Sequence, residues 1–237
     1  MSELTHKLQD VVEARAMAPT PAQRERALLF QIYVLVASAA FIALAVAAHF
    51  IPYFKVDLAV TRFIQSYHGA LFDRIMRGVS WIGFMPQSYV MAAIFVLALL
   101  LAGLRREALG AVFAGVASVA GMAIKLIVHR PRPSANLVHV FQAIPDSGFP
   151  SGHVLTAVAF GGFLGFLAYT LLQRSLGRTL LLIAIAFGIA LMGPSRIYMG
   201  QHWFSDTMGA YVLGTLWLAL SIKLYRRIKH KSHAAQT

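Results

Sequence analysis

Six stretches of this chain are almost wholly apolar: residues 28–51, 82–104, 108–128, 154–172, 179–192 with its continuation, and 207–224. A helix needs about 20 such residues to cross the hydrocarbon core of a bilayer, at about 1.5 Å of rise each. Nothing else in the sequence constrains the fold as strongly. Inside hydrocarbon every backbone N–H and C=O must be satisfied within the protein, and a helix does this within its own segment. Charged residues make up 13% of the chain, against about a quarter in a soluble domain, which excludes an ordinary water-soluble fold. The expectation is an all-α integral membrane protein, a six-transmembrane-helix bundle.

The net charge of +12 invites a nucleic-acid reading, so the placement of the charges has to decide. Lys7, Arg15, Arg24 and Arg26 precede the first span. Arg105 and Arg106 fall in the next alternate connection, Arg174 and Arg178 in the one after, and KLYRRIKHK follows the last span. If six helices thread up and down, all of these lie on one side, which the positive-inside rule makes cytoplasmic. Both termini are then cytoplasmic, the connections 52–81, 129–153 and 193–206 face the opposite side, and no nucleic acid is called for. The basic C-terminal run is read as an anchor near anionic lipid.

No apolar core of the signal-peptide kind precedes residue 28, so the first span is expected to be an uncleaved anchor. The absence of cysteine excludes disulfides and thiolate metal sites. The expected organisation is a basic tail at 1–27, one membrane domain at 28–225 and a second basic tail at 226–237. Nothing in the sequence speaks to oligomeric state.

Between the first two spans, Val56, Val60, Phe63, Ile64, Tyr67 and Leu71 recur at helical spacing, while Lys55, Asp57, Arg62 and Gln65 take the other face. This predicts an interfacial helix at the outer surface, capping the bundle. Residues 129–149 carry Pro131, Pro133, Pro145 and Gly148, which forbid continuous helix and put that segment outside the hydrocarbon or along a wet cavity. The glycines of GGFLG at 161–165 mark close helix packing.

Ionisable groups at the ends of membrane helices cost about 2.5–3.5 kcal/mol each at mid-bilayer and default to functional roles. Here Lys125, Arg132, His153, Arg196, His202 and Asp206 all fall on the outer side. His202 and Asp206 stand one helical turn apart, where a carboxylate can accept the proton of one ring nitrogen and raise the basicity of the other. That makes His202 a candidate nucleophile or base. Ser151 and Gly152 precede His153 where the loop turns into the fourth span, and free N–H groups at a helix start suit an anion. Lys125, Arg132 and Arg196 add three cations, which repel one another unless a multiply charged anion such as phosphate sits among them. Zinc or iron held by His153, His202 and Asp206 is the rival reading, but the surrounding cations oppose a dication, so no metal and no cofactor is expected.

Taken together these residues resemble the type 2 phosphatidic acid phosphatase (PAP2) superfamily, which also includes vanadium haloperoxidases and glucose-6-phosphatase. Its signature of K-x6-RP, PSGH and SR-x5-H-x3-D matches KLIVHRPRP from Lys125 to Pro133, PSGH from Pro150 to His153, and SRIYMGQHWFSD from Ser195 to Asp206. The resemblance covers roughly residues 28–225. Arg130-Pro131 stands just before Arg132-Pro133, and only the second pair fits the spacing. By resemblance, Lys125, Arg132, Ser151, Gly152 and Arg196 cradle the phosphate, His202 attacks phosphorus with Asp206 orienting it, and His153 protonates the leaving oxygen. A phosphohistidine intermediate is then hydrolysed without metal.

A site at the outer interface of a bundle implies a membrane lipid phosphate as substrate, its tail entering between helices from the bilayer. Among bacterial relatives of the family the substrates include undecaprenyl diphosphate, the first expectation here, and phosphatidylglycerol phosphate, phosphatidate and lipid A 1-phosphate. A bacterial inner membrane is the expected location. Transfer of phosphate between lipids is the alternative within the enzyme class. A six-helix transporter is the alternative outside it, and would spread its charges through both halves of the membrane.

Overall fold

A computed structural model describes residues 20–84 and 87–234, with side chains to residue 229. The tail read at 1–27 therefore lies outside the described residues as far as 19, and the C-terminal tail from 235 onward. The chain forms two compact units, Met1–Ala37 and Ser38–Thr237.

The described part of the first unit is the beginning of α1 (Pro21–Phe50), which starts before the apolar run does. Thr20 and Gln23 close a reciprocal cap, Gln23 N–H donating to Thr20 Oγ1 at 3.3 Å and Thr20 N–H to Gln23 Oε1 at 2.9 Å, with Pro21 in the first helical position.

The second unit is all-α among the described residues. After α1 come α2 (Lys55–Gln65), α3 (Ala70–Ile82), α4 (Gln87–Leu101), α5 (Arg105–Gly115) and α6 (Ala117–Val128). A long loop leads to α7 (Gly152–Thr156), which passes through a π turn (Ala157–Gly161) into α8 (Gly162–Leu171), followed by α9 (Leu176–Tyr198) and α10 (Phe204–Ala234). Among the described residues five helical stretches are long and apolar enough to cross a membrane: Pro21–Phe50, Arg105–Val128, Gly152–Leu171, Leu176–Tyr198 and Phe204–Lys229. Ala70–Ile82 with Gln87–Leu101 supplies the sixth only as a broken span.

That break corrects the reading of 82–104 as one span. Helix α3 closes on Gly83, whose N–H turns back to the Ser80 carbonyl at 3.2 Å. At the far end Gly103, at φ +75°, takes the left-handed conformation that glycine tolerates, and Leu104 N–H returns to Leu99 O at 2.8 Å. The 15 residues of α4 reach about 22 Å, short of the hydrocarbon core.

The interfacial helix is present, as α2, and its polar face divides: Lys55 and Arg62 are exposed while Asp57 is buried. Asp57 and Thr61 are fully buried, while Val56, Phe63, Tyr67 and Leu71 are at least half exposed. The exposed apolar residues suit a border with lipid, while Asp57 and Thr61 turn toward a polar interior.

Helix α10 packs along α5, α7 and the π turn, and α9 lies against α3 and α8. A Cβ on Gly162 would meet Leu218 Cδ2 at 2.6 Å, so this glycine lets α8 and α10 approach closely. At one end of the second unit Tyr225 donates to Glu107 at 2.8 Å and Arg226 lies over Phe166. The 129–149 loop, α2 and the start of α10 gather at the other, joined through Arg130.

Candidate active site

The loop end of the bundle holds a cavity of about 310 Å³ whose lining includes six of the eight expected residues, Lys125, Arg132, Gly152, His153, Arg196 and His202. Ser151 and Asp206 lie behind that wall, both fully buried.

Lys125 stands in the last turn of α6, after which His129 adopts φ +50° and Pro131 and Pro133 keep the chain out of helix. Its Nζ donates to Asp146 Oδ2 at 2.8 Å and to Ser147 O at 2.6 Å. Arg132 grips the same carboxylate, Nη2 to Oδ1 at 2.5 Å, and its Nη1 donates to Gln201 O at 2.6 Å. Asp146 therefore joins two of the three cations that sequence alone left mutually repelling. Burial by itself would raise its pKa, but the hydrogen bond from Lys125 and the charges of Arg132 and Lys125 hold it below the usual carboxylate range.

Arg196 is fully buried in α9, just past Pro194. Its Nη1 donates to Ser80 Oγ at 2.5 Å and its guanidinium lies 4.8 Å from the centre of the Phe84 ring. Its Nε and Nη2 find no protein partner. Neither Ser80 nor Phe84 belongs to a motif. They come from the broken span, and the sequence carried no signal for them.

His153 projects from the first turn of α7, its ring edge-on to Phe84 at 5.0 Å between centroids, its Nε2 buried and unpartnered. Gly83 makes this position available, since a Cβ there would meet His153 Cδ2 at 2.4 Å. Ser151 occupies the N-cap of α7 but caps nothing. Its Oγ is buried without a partner.

His202 is 1% exposed. Its Nδ1 lies 2.8 Å from Gly148 O, and a carbonyl can only accept, so Nδ1 carries the proton and Nε2 the lone pair. That lone pair faces Arg132 Nη1 at 3.1 Å, at the cavity. Burial, then the charges of Arg132, Arg196 and Lys125, push the His202 pKa well below that of free histidine, the Gly148 bond opposing them, so the ring is neutral near pH 7. Asp206 was expected to take the Nδ1 proton directly. Its Oδ2 stands 3.7 Å away, while it accepts from Trp203 N–H at 2.8 Å, and Oδ1 accepts from Arg130 Nη1 at 2.5 Å. A backbone carbonyl is nearer, and sequence gives no hint of backbone partners.

The two neighbouring Arg-Pro pairs separate cleanly. Arg132 lines the cavity, while Arg130 is buried behind it against Asp57, Ser205 and Asp206.

Clustered cations, an unprotonated imidazole nitrogen and buried donors without partners suit a multiply charged anion such as a phosphoryl group. The family model of the PAP2 superfamily matches residues 107–229. The chain belongs to the PAP2 superfamily. It is 30% identical over 159 residues to undecaprenyl-diphosphatase BcrC of Bacillus subtilis strain 168, covering 64% of this chain and 74% of that one. It is also 30% identical over 128 residues to lipid phosphate phosphatase delta of Arabidopsis thaliana, covering 48% of this chain but 31% of that protein.

Two crystal structures share the fold. One is a transmembrane PAP2-type phosphatidylglycerolphosphate phosphatase from Bacillus subtilis, with TM-score 0.70 and 21% identity over 82% of this chain and 96% of that one. The other is LpxE of Aquifex aeolicus, with TM-score 0.58 and 22% identity over 73% and 98%. The chain is a multi-pass membrane phosphatase of the PAP2 type.

Proposed function

We propose that this phosphatase removes the terminal phosphate of a lipid diphosphate, undecaprenyl diphosphate first among them, at the extracytoplasmic face of a bacterial inner membrane. The observation that carries the reading is the continuity of two volumes. The cationic cavity shares Gly83, Ser88, His153 and Thr156 with an apolar groove of about 380 Å³ that runs on between α4, the π turn, α8 and α9. A charged head and a long apolar tail fit that pair of volumes. The 30% identity to undecaprenyl-diphosphatase BcrC supports the choice of lipid, and the basic connections at the opposite end support the orientation, both termini being cytoplasmic. Residues 28–225 form the phosphatase domain between the tails at 1–27 and 226–237.

In the proposed reaction Lys125, Arg132 and Arg196, with Ser151 Oγ and the Gly152 N–H, hold the oxygens of the terminal phosphoryl group. His202 Nε2 attacks phosphorus in line. As the N–P bond forms, the P–O bond to the lipid breaks, its electron pair leaving on oxygen, which takes a proton from His153. His153 then removes a proton from water as the water attacks phosphorus. The N–P bond breaks, and inorganic phosphate leaves with His202 neutral again. Positioning and charge neutralisation supply most of the catalysis.

The test is phosphate release by the purified protein in detergent with EDTA present, across undecaprenyl diphosphate, phosphatidylglycerol phosphate, phosphatidate and lipid A. The expected result is release from undecaprenyl diphosphate well above the others, falling by at least about 10⁴-fold in His202→Ala. Preference for another lipid would replace the substrate. Activity that EDTA abolishes and a dication restores would replace the mechanism. Unchanged release by His202→Ala would remove its role as nucleophile. A lipid acceptor that speeds loss of the diphosphate without free phosphate would favour phosphotransfer.

A further inference from the structure

Behind His202 lies a buried ionic network in which Asp206 meets two residues, Asp57 and Arg130, that are not among the fixed positions of the family signature. Arg130 and Asp57 are both fully enclosed, their side chains 0% exposed, and paired at 2.9 Å. Asp57, at the start of α2, also accepts from Ser205 N–H at 2.8 Å and Ser205 Oγ at 2.9 Å. Arg130 donates through Nη1 to Ser205 Oγ at 2.7 Å and to Asp206 Oδ1 at 2.5 Å, and through Nε to Pro52 O at 3.2 Å.

The main chain of Arg130 supplies a second grip. Its carbonyl accepts from Gly148 N–H at 2.8 Å, and Gly148 O is the atom that takes the His202 Nδ1 proton. One residue thus holds both neighbours of the His202 ring, Asp206 by its guanidinium and Gly148 by its carbonyl. Space there is tight, since a Cβ on Gly148 would stand 3.0 Å from Asp206 Oδ2.

Neither Asp57 nor Arg130 lines the cavity, so neither touches a phosphoryl group bound there. Burying a carboxylate–arginine–carboxylate set is costly unless every charge is paired and hydrogen-bonded. Here the pairing fixes the one carboxylate facing His202 Nδ1. We infer that Asp57 and Arg130 are positioning residues for His202, aiming Nε2 at phosphorus by fixing Asp206 and Gly148 around the opposite ring nitrogen. The inference rests on the reading of His202 as nucleophile. It assigns α2 a part in the reaction that an interfacial cap would not have.

The test is rapid-quench phosphorylation of the full chain in single turnover, with undecaprenyl diphosphate or phosphatidylglycerol phosphate carrying ³²P in the terminal phosphate, scoring acid-labile, base-stable label. A first-order rate constant does not depend on the fraction of protein that is folded, so it separates positioning from loss of structure. Arg130→Lys keeps the charge but loses the fork that bridges Asp57 and Asp206, and Asp57→Asn keeps the size but loses the charge. Both are expected to slow phosphorylation by about 10–100-fold, with half-saturating lipid concentration changed by less than about twofold.

If Arg130→Lys yields no folded protein, Asp57→Asn and Ser205→Ala carry the test, Ser205→Ala with a smaller loss of the same kind. Rate constants within about twofold of wild type in folded variants overturn the inference and leave His202 untouched. A wild type that takes label from neither lipid, or a His202→Ala variant that is still labelled, overturns the nucleophile reading and the inference with it.

Discussion

Two buried arginines at the same end of the bundle, Arg130 and Arg196, are held in opposite ways. Arg130 donates to Asp57, Ser205, Asp206 and the Pro52 carbonyl. Arg196 donates through Nη1 to Ser80 Oγ, while Nε and Nη2 stay unpartnered beside the cavity, as do Ser151 Oγ and His153 Nε2. Buried donors in a folded protein are nearly always matched, so a group of unmatched ones around a single cavity identifies surfaces shaped for something that binds. The matched set behind them is scaffold. Charge does not distinguish the two arginines. The completeness of their hydrogen bonding does.

The sharpest way to break this contrast is to compare the same substitution at both positions. Arg130→Met strands two buried carboxylates and is expected to lower stability by about 3–5 kcal/mol, read as a fall in midpoint in thermal unfolding in detergent. Arg196→Met strands none and is expected to unfold close to wild type while losing about 10²–10³-fold in kcat/KM, the size of one lost transition-state donor. Equal loss of stability at both positions would erase the distinction.

A smaller effect concerns pH. The folded-state pKa of His202 is depressed, so above the free-histidine value near 6.5 both folded and unfolded states hold the ring neutral and it contributes no pH dependence. Below that value the unfolded chain binds the proton more readily, and stability falls as pH falls, by up to about 1.4 kcal/mol per pH unit. His202→Gln is expected to flatten the stability profile below about pH 6.5. A profile unchanged by this substitution would show that the ring is not held neutral by its surroundings.

The chemistry-bearing positions were legible in the sequence because phosphoryl transfer demands fixed residue types at fixed spacings, and Lys125, Arg132, Gly152, His153, Arg196 and His202 do line one cavity. What the sequence concealed has a physical reason in each case. Asp57 shares a helix face with Lys55 and Arg62, and spacing alone does not say which of the three is buried. Gly148 holds His202 through a carbonyl that every residue type possesses. Ser80 and Phe84 sit beside Arg196 and His153 only because the second span breaks where hydropathy read it as continuous. Spacing from Lys125 singled out Arg132 of HRPRP, but nothing in the sequence showed where Arg130 would turn.

Gly83 ends α3, at the near side of the break in the second span. It also leaves the room that the His153 ring fills, and it borders both the cationic cavity and the apolar groove. The interruption therefore works as a threshold. On one side of a single missing methyl group lies a compartment for charge, on the other a compartment for hydrocarbon, and the junction between the head and the tail of a lipid phosphate would lie where the two meet.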